Sequence, residues 1–153
     1  MEQNIRVSAL NLLARREHSR MEIQHKLLQR GYNLDEINII LDVLAKEGLQ
    51  NEERFAENYT RSRFKRGFGP LHIHTELRIR GISEDLIKKV LIDAEMDWLT
   101  LAVNIRKKKF GMTQPKDIHD RAKQTNFLKY KGFRGEEIRF ALGKDFDECV
   151  DDE

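Results

Sequence analysis

The sequence predicts an all-α protein made of three tandem three-helix repeats that stack into an elongated, curved body. Three observations predict it. A glycine-centred pattern occurs three times, at Gly31, Gly81 and Gly132, with the glycines 50 and 51 residues apart. Around Gly31 it reads Leu27, Arg30, Tyr32, Ile37, Ile40, Leu41; around Gly81, Leu77, Arg80, Ile82, Ile87, Val90, Leu91; around Gly132, Leu128, Lys131, Phe133, Ile138, Ala141, Leu142. Repetition at this period marks an array of small supersecondary units. Between the glycines, apolar residues recur at helical spacing. Finally, the chain holds 2 prolines, 35% charged and 39% hydrophobic residues, a balance suited to helices with wide solvated faces and narrow buried stripes.

The first repeat, residues 1–49, opens with a helix from about Ile5 to Arg16, whose stripe is Ile5, Ala9, Leu10, Leu12 and Leu13. Ser19 with Glu22 is a capping box that starts the second helix, where Met21, Ile23, Leu27 and Leu28 are apolar. Gly31 ends that helix in a left-handed turn. Asn33 with Glu36 repeats the cap, and Leu34, Ile37, Ile40, Leu41 and Leu44 line the third helix up to Gly48. The second repeat, residues 50–95, begins at Asn51 with Phe55, Ala56 and Tyr59. Gly67-Phe68-Gly69-Pro70 is then a rigid turn, with Pro70 at a first helical position. Ser83, followed by Glu84 and Asp85, caps its last helix.

The third repeat, residues 96–143, starts with Asp97, Trp98, Leu101, Ala102 and Ile105 and reaches Phe110-Gly111. A longer linker, Met112–Pro115, precedes a middle helix ending in Phe127, Leu128 and Tyr130. Arg134-Gly135 replaces the earlier Asn or Ser cap before Glu136 and Glu137. Residues 144–153 carry six acids and one lysine and read as a disordered acidic tail. Gly31, Gly69, Pro70, Gly81 and Gly132 are thus expected to be structural turn residues.

Several function classes are excluded on chemistry. His72 and His74, two apart on a helix, point to different sides and make a poor metal pair. His18, His25 and His119 read as helical surface histidines. Cys149 is the only cysteine, so no internal disulfide is expected, and no nearby cation activates it. No phosphate-binding loop occurs, and the acidic pairs at helix starts are explained by the helix dipole. The reading is of a cytoplasmic protein with no catalytic residue, cofactor, metal or membrane span, present as a monomer.

Basic clusters are the remaining signal. Arg61, Arg63, Lys65, Arg66, Arg78 and Arg80 face Glu76 alone between positions 61 and 80, a net of +5. From 106 to 134 the net is +8, with Lys107, Lys108 and Lys109 at a helix end and Lys129, Lys131 and Arg134 flanking Tyr130 and Phe133. Such clusters suit a phosphate backbone or an acidic protein surface, while the blander reading is a solvated face with lysines meeting helix dipoles. The aromatics fall on the apolar register and read as core. The units are helix-turn-helix-like, yet acids lead each third helix where a recognition helix would read bases, against sequence-specific readout.

Three stretches resemble the RecX regulators of the RecA recombinase. They are Ala9–Ser19 with Glu22 and Lys26-Leu27; Arg66-Gly67-Phe68-Gly69-Pro70 with Ile73, Glu76-Leu77 and Gly81-Ile82; and Lys131-Gly132-Phe133. The resemblance implies a non-enzymatic modulator, mainly an inhibitor. It would bind in the groove of the RecA–DNA filament and restrain strand exchange, ATP turnover and coprotease activity towards the LexA repressor in recombination and SOS repair. It also implies contact with DNA that is not sequence-specific. The alternative is a stand-alone DNA-binding module acting without a recombinase.

Overall fold

The computed structural model describes residues 2–143. The predicted acidic tail, with Cys149, lies outside the described residues. Among those described are nine α-helices and no strand: α1 Glu2–Arg15, α2 Arg20–Gln29, α3 Leu34–Lys46, α4 Glu52–Lys65, α5 Pro70–Ile79, α6 Glu84–Asp93, α7 Trp98–Phe110, α8 Ile118–Tyr130 and α9 Gly135–Leu142. No described helix is long and apolar enough to cross a membrane.

The expected caps form. Ser19 Oγ accepts from the Glu22 amide at 3.1 Å and Glu22 Oε1 accepts from the Ser19 amide at 3.0 Å, a complete capping box. Asn33 Oδ1 accepts from the amides of Asp35 and Glu36, so Asn33 caps α3 alone, without a reciprocal bond from Glu36. Ser83 accepts from Leu86; Asp97, expected inside its helix, instead caps α7 from outside it, and Asp117 caps α8, a cap not read from the sequence. At α9 the arrangement is inverted. Arg134 cannot accept, and instead the Glu137 carboxylate takes the Arg134 amide and is held by its guanidinium. That explains how the third repeat manages without a polar cap residue, and why Glu137 is buried.

The chain divides into two compact units that do not coincide with the sequence repeats. One comprises Met1–Thr60 and Glu76–Asp93, the other Arg61–Thr75 and Ala94–Glu153. The division falls inside α4 and α5. In the first unit α1, α2 and α3 enclose Ile5, Ala9, Leu12, Ile23, Leu27, Ile37, Ile40, Leu41 and Leu44, with Leu10, Leu13 and Tyr32 at the edge. Met21, Leu28 and Leu34, expected on the apolar stripes, are exposed, because each lies just off the face that the other two helices cover. Polar links continue within this unit: the Arg20 amide donates to Glu52 at 2.8 Å, and Arg54 pairs with Glu17 at 2.6 Å. In the second unit α7, α8 and α9 close over Ala102, Leu128, Phe133, Ile138, Ala141 and Leu142.

His18, expected on the surface, is buried. Its Nδ1 lies 3.0 Å from the Arg16 carbonyl and its Nε2 3.1 Å from Lys26 Nζ. An ammonium only donates, so Nε2 accepts, Nδ1–H donates and the ring is neutral. Burial holds its pKa below the usual 6.5, with Arg16 and Lys26 acting in the same direction and the Arg16 carbonyl and Glu22 opposing. A depressed imidazole pKa contributes stability that is fully present above 6.5 and is lost as pH falls through the folded value. Glu22 also titrates below its usual value; burial opposes this, but hydrogen bonds from Arg16 and the Ser19 amide prevail, so its contribution is lost only below 4.5. Urea midpoints of the parent chain are therefore expected to fall from about pH 6.5 downward, with that first loss absent in His18→Gln. Parallel profiles for the two proteins would remove the assignment to His18.

Candidate functional site

The site grows out of a backbone junction in the second unit. Helix α5 begins at Pro70, which has no amide proton, and the donors around it need acceptors. They find them at the end of α8: the Gly69 amide donates to the Lys131 carbonyl at 2.8 Å and the Leu71 amide to the Gly132 carbonyl at 2.9 Å. The positive start of one helix thus meets the negative end of another. The approach requires glycine on both sides. A Cβ at Gly69 would lie 2.5 Å from the Gly132 carbonyl carbon and oxygen, and one at Gly132 2.4 Å from His72 Cβ.

This junction sets Lys131 against the turn that precedes α5. Its ammonium sits 4.1 Å from the centroid of the Phe68 ring, and the Arg63 guanidinium lies 5.1 Å from the same centroid. The His72 ring stacks on Phe68, 4.4 Å away and inclined by 13°. Two cations and one imidazole therefore share a half-buried aromatic ring, an arrangement that the ring quadrupole favours. Burial, and then the positive charge of Lys108, hold the Lys131 ammonium below the usual lysine range. Among the described residues neither lysine has a carboxylate partner. A partly desolvated lysine repelled by a neighbouring lysine is relieved by an arriving anion.

The basic residues named from the sequence separate into two kinds. Arg63, Lys108 and Lys131 come together here. Lys65, Arg66, Lys129 and Arg61 are exposed on the same unit, as are Lys108 and Lys109, with Lys107 half-buried. Lys109 lies 5.6 Å over Phe127. Arg134 is committed to Glu137. In the other unit Arg78 pairs with Glu84 at 3.4 Å, and Arg80 is 4.7 Å over Tyr59, donates to the Glu76 carbonyl and approaches Glu22 at 3.7 Å. Arg80 thus serves internal contacts. The aromatics divide as well: Phe55, Phe133 and Trp98 are core, whereas Tyr130, at 81% exposure, and Phe140 are not. Tyr130 lies two residues from buried Leu128, off the face that packs on α7 and α9.

His72 is the residue whose stacking on Phe68 sequence reasoning missed. No group of side chains able to hold a metal ion occurs among the described residues. The available signal was its spacing of four from Phe68 across a helix start.

Sequence profiles of the RecX first, second and third three-helix domains match residues 6–44, 51–91 and 95–142. The chain belongs to the RecX family. Regulatory protein RecX of Halorhodospira halophila (strain DSM 244 / SL1) is 45% identical over 137 residues, covering 90% of this chain and 85% of that one. Regulatory protein RecX of Pseudomonas putida (strain GB-1) is 42% identical over 145 residues, covering 94% and 93%. The crystal structure of RecX from Lactobacillus salivarius superposes with a TM-score of 0.76 at 22% identity, over 99% of this chain and 95% of that one. Membership in RecX makes the chain one of a family of regulatory proteins and matches the three three-helix domains to its nine described helices.

Proposed function

We propose that this chain is a non-enzymatic modulator, mainly an inhibitor, of the RecA recombinase. It binds the recombinase filament on DNA and restrains strand exchange, ATP turnover and LexA coprotease activity. The observation that supports this reading best is the cluster of Lys131, Arg63 and Lys108 around the Phe68–His72 stack. An aromatic face beside Lys108 and Lys131, which have no carboxylate partner among the described residues, suits an anionic surface, either DNA phosphates or filament carboxylates, and does not require base identity. The remaining cations on that unit, exposed Arg61, Lys65, Arg66, Lys109 and Lys129 with half-buried Lys107, would steer approach more than they fix the complex. The protein acts as a monomer in the cytoplasm.

The test measures the recombinase's DNA-dependent ATPase with increasing amounts of this protein, beside binding of the protein to DNA alone across a salt series. Inhibition at protein concentrations where DNA alone is scarcely bound is the expected result. Tight DNA binding with an unaffected ATPase would instead favour a DNA-binding module that acts without a recombinase.

A further inference from the structure

Of the cations around Phe68, Lys131 is the one placed to release its proton. Its carbonyl accepts the Gly69 amide at 2.8 Å, which pins its backbone at the helix junction. Its side chain is half-buried, with Nζ 4.1 Å from the Phe68 centroid. The charged and titratable groups facing it are Arg63 of α4, 5.1 Å from the same centroid, His72 of α5, stacked on that ring, and Lys108 of α7, whose charge acts on Lys131. The ring favours an ammonium, but Arg63 shares that attraction, and a guanidinium does not give up its proton. Lys108 is exposed and, like Lys131, has no carboxylate partner among the described residues. Crowding among these cations is relieved in two ways: an anion arrives, or Lys131 loses its proton. Burial and the charge of Lys108 already favour the second.

We propose that Lys131 is an acyl-acceptor site for acyl phosphates, with Lys108 holding the donor's phosphate. The neutral amine attacks the acyl carbon, and a C–N bond forms as the C–O bond to phosphate breaks. Phosphate leaves with that electron pair and takes the proton shed by the nitrogen, departing as hydrogen phosphate. An acyl phosphate supplies both forms of relief: its dianion sits beside Lys108, and its carbonyl consumes the free amine. The product amide is uncharged, so the cluster loses the cation seated on the ring. Where the cluster meets the recombinase filament, acylation lowers inhibition. That consequence rests on the proposed function, whereas the reactivity does not.

The test incubates the folded full chain with acetyl phosphate at about pH 7.5 and follows acetylation by mass spectrometry at Lys131 and at Lys129, an exposed lysine of the same helix end. Lys131 is expected to react at least about threefold faster. Its lead should narrow as pH rises towards about 10, where Lys129 also becomes neutral, a trend that a difference in accessibility would not produce. Lys108→Gln should slow Lys131 towards the rate of Lys129. Phenyl acetate, an acyl donor without phosphate, should show a smaller preference in the parent. A Lys131 rate no greater than that of Lys129, a rate unchanged by Lys108→Gln, or an equal preference with phenyl acetate overturns the proposal. Full acetylation of Lys131 with inhibition of the ATPase intact keeps the acyl site and removes the filament reading of the cluster.

Discussion

Replacing Gly132 by alanine is expected to cost about 2 to 4 kcal/mol, whereas the same change at Gly31, its counterpart in the first repeat, should cost about 1 kcal/mol. Both glycines have positive φ, +96° and +91°, so the backbone penalty for an L side chain is similar. Their surroundings differ. Nothing lies within 4 Å of a Cβ built on Gly31, while one on Gly132 would meet His72 Cβ at 2.4 Å and the His72 nitrogen at 2.5 Å. Backbone cannot swing aside as a side-chain end can, so α5 and α8 must separate and the amide contacts from Gly69 and Leu71 lengthen. Urea denaturation of the two variants beside the parent measures the difference. Equal losses would mean that the junction relaxes freely, and the tight seating of Lys131 over Phe68 would lose its support.

Reversing charge at Lys108 and Lys131 together should reduce inhibition of the recombinase ATPase by at least about tenfold at 0.1 M salt. Two reversals at lysines that have no carboxylate partner among the described residues turn attraction for an anionic surface into repulsion. The parent's inhibition should itself decline with added salt, and the variant should lack that dependence. Phe68→Ala tests the geometry separately from the charge. It removes the ring on which Lys131, Arg63 and His72 converge but keeps every cation, so an intermediate loss is expected with helicity unchanged by far-ultraviolet circular dichroism. Reversing Lys107, Lys108 and Lys109 together probes the end of α7 in the same assay. If the Lys108 and Lys131 variant inhibits like the parent even at low salt, this cluster is not the contact.

Much of the architecture could be read from local chemistry. Ser19 with Glu22, Asn33, Ser83 and Pro70 mark helix starts because each satisfies, or lacks, a donor within a few residues of itself. The turn glycines were legible for a related reason: a positive φ is demanded by the chain's own path. Glu137 shows where such reasoning stops. Its position three residues after Arg134 was visible, but its reversal of the usual cap requires knowing that no acceptor side chain was available and that the carboxylate would be buried. Met21, Leu28, Leu34 and Tyr130 were assigned to apolar faces by periodicity alone, whereas the width of a buried stripe depends on which helices cover it.

The sequence by itself determined the nine described helices, the caps of α2, α3 and α6, the breaks and the three-fold repetition, since these depend on groups close along the chain. Only the tertiary structure decided how Arg63, Phe68, His72 and Lys131 meet, and which arginines are spent on internal contacts. It also decided that His18 and Arg106 are buried. The meeting of Lys131 with Phe68 rests on an approach between residues tens of positions apart, where the distance between two helix ends, set by Gly69 against Gly132, settles which charges become neighbours.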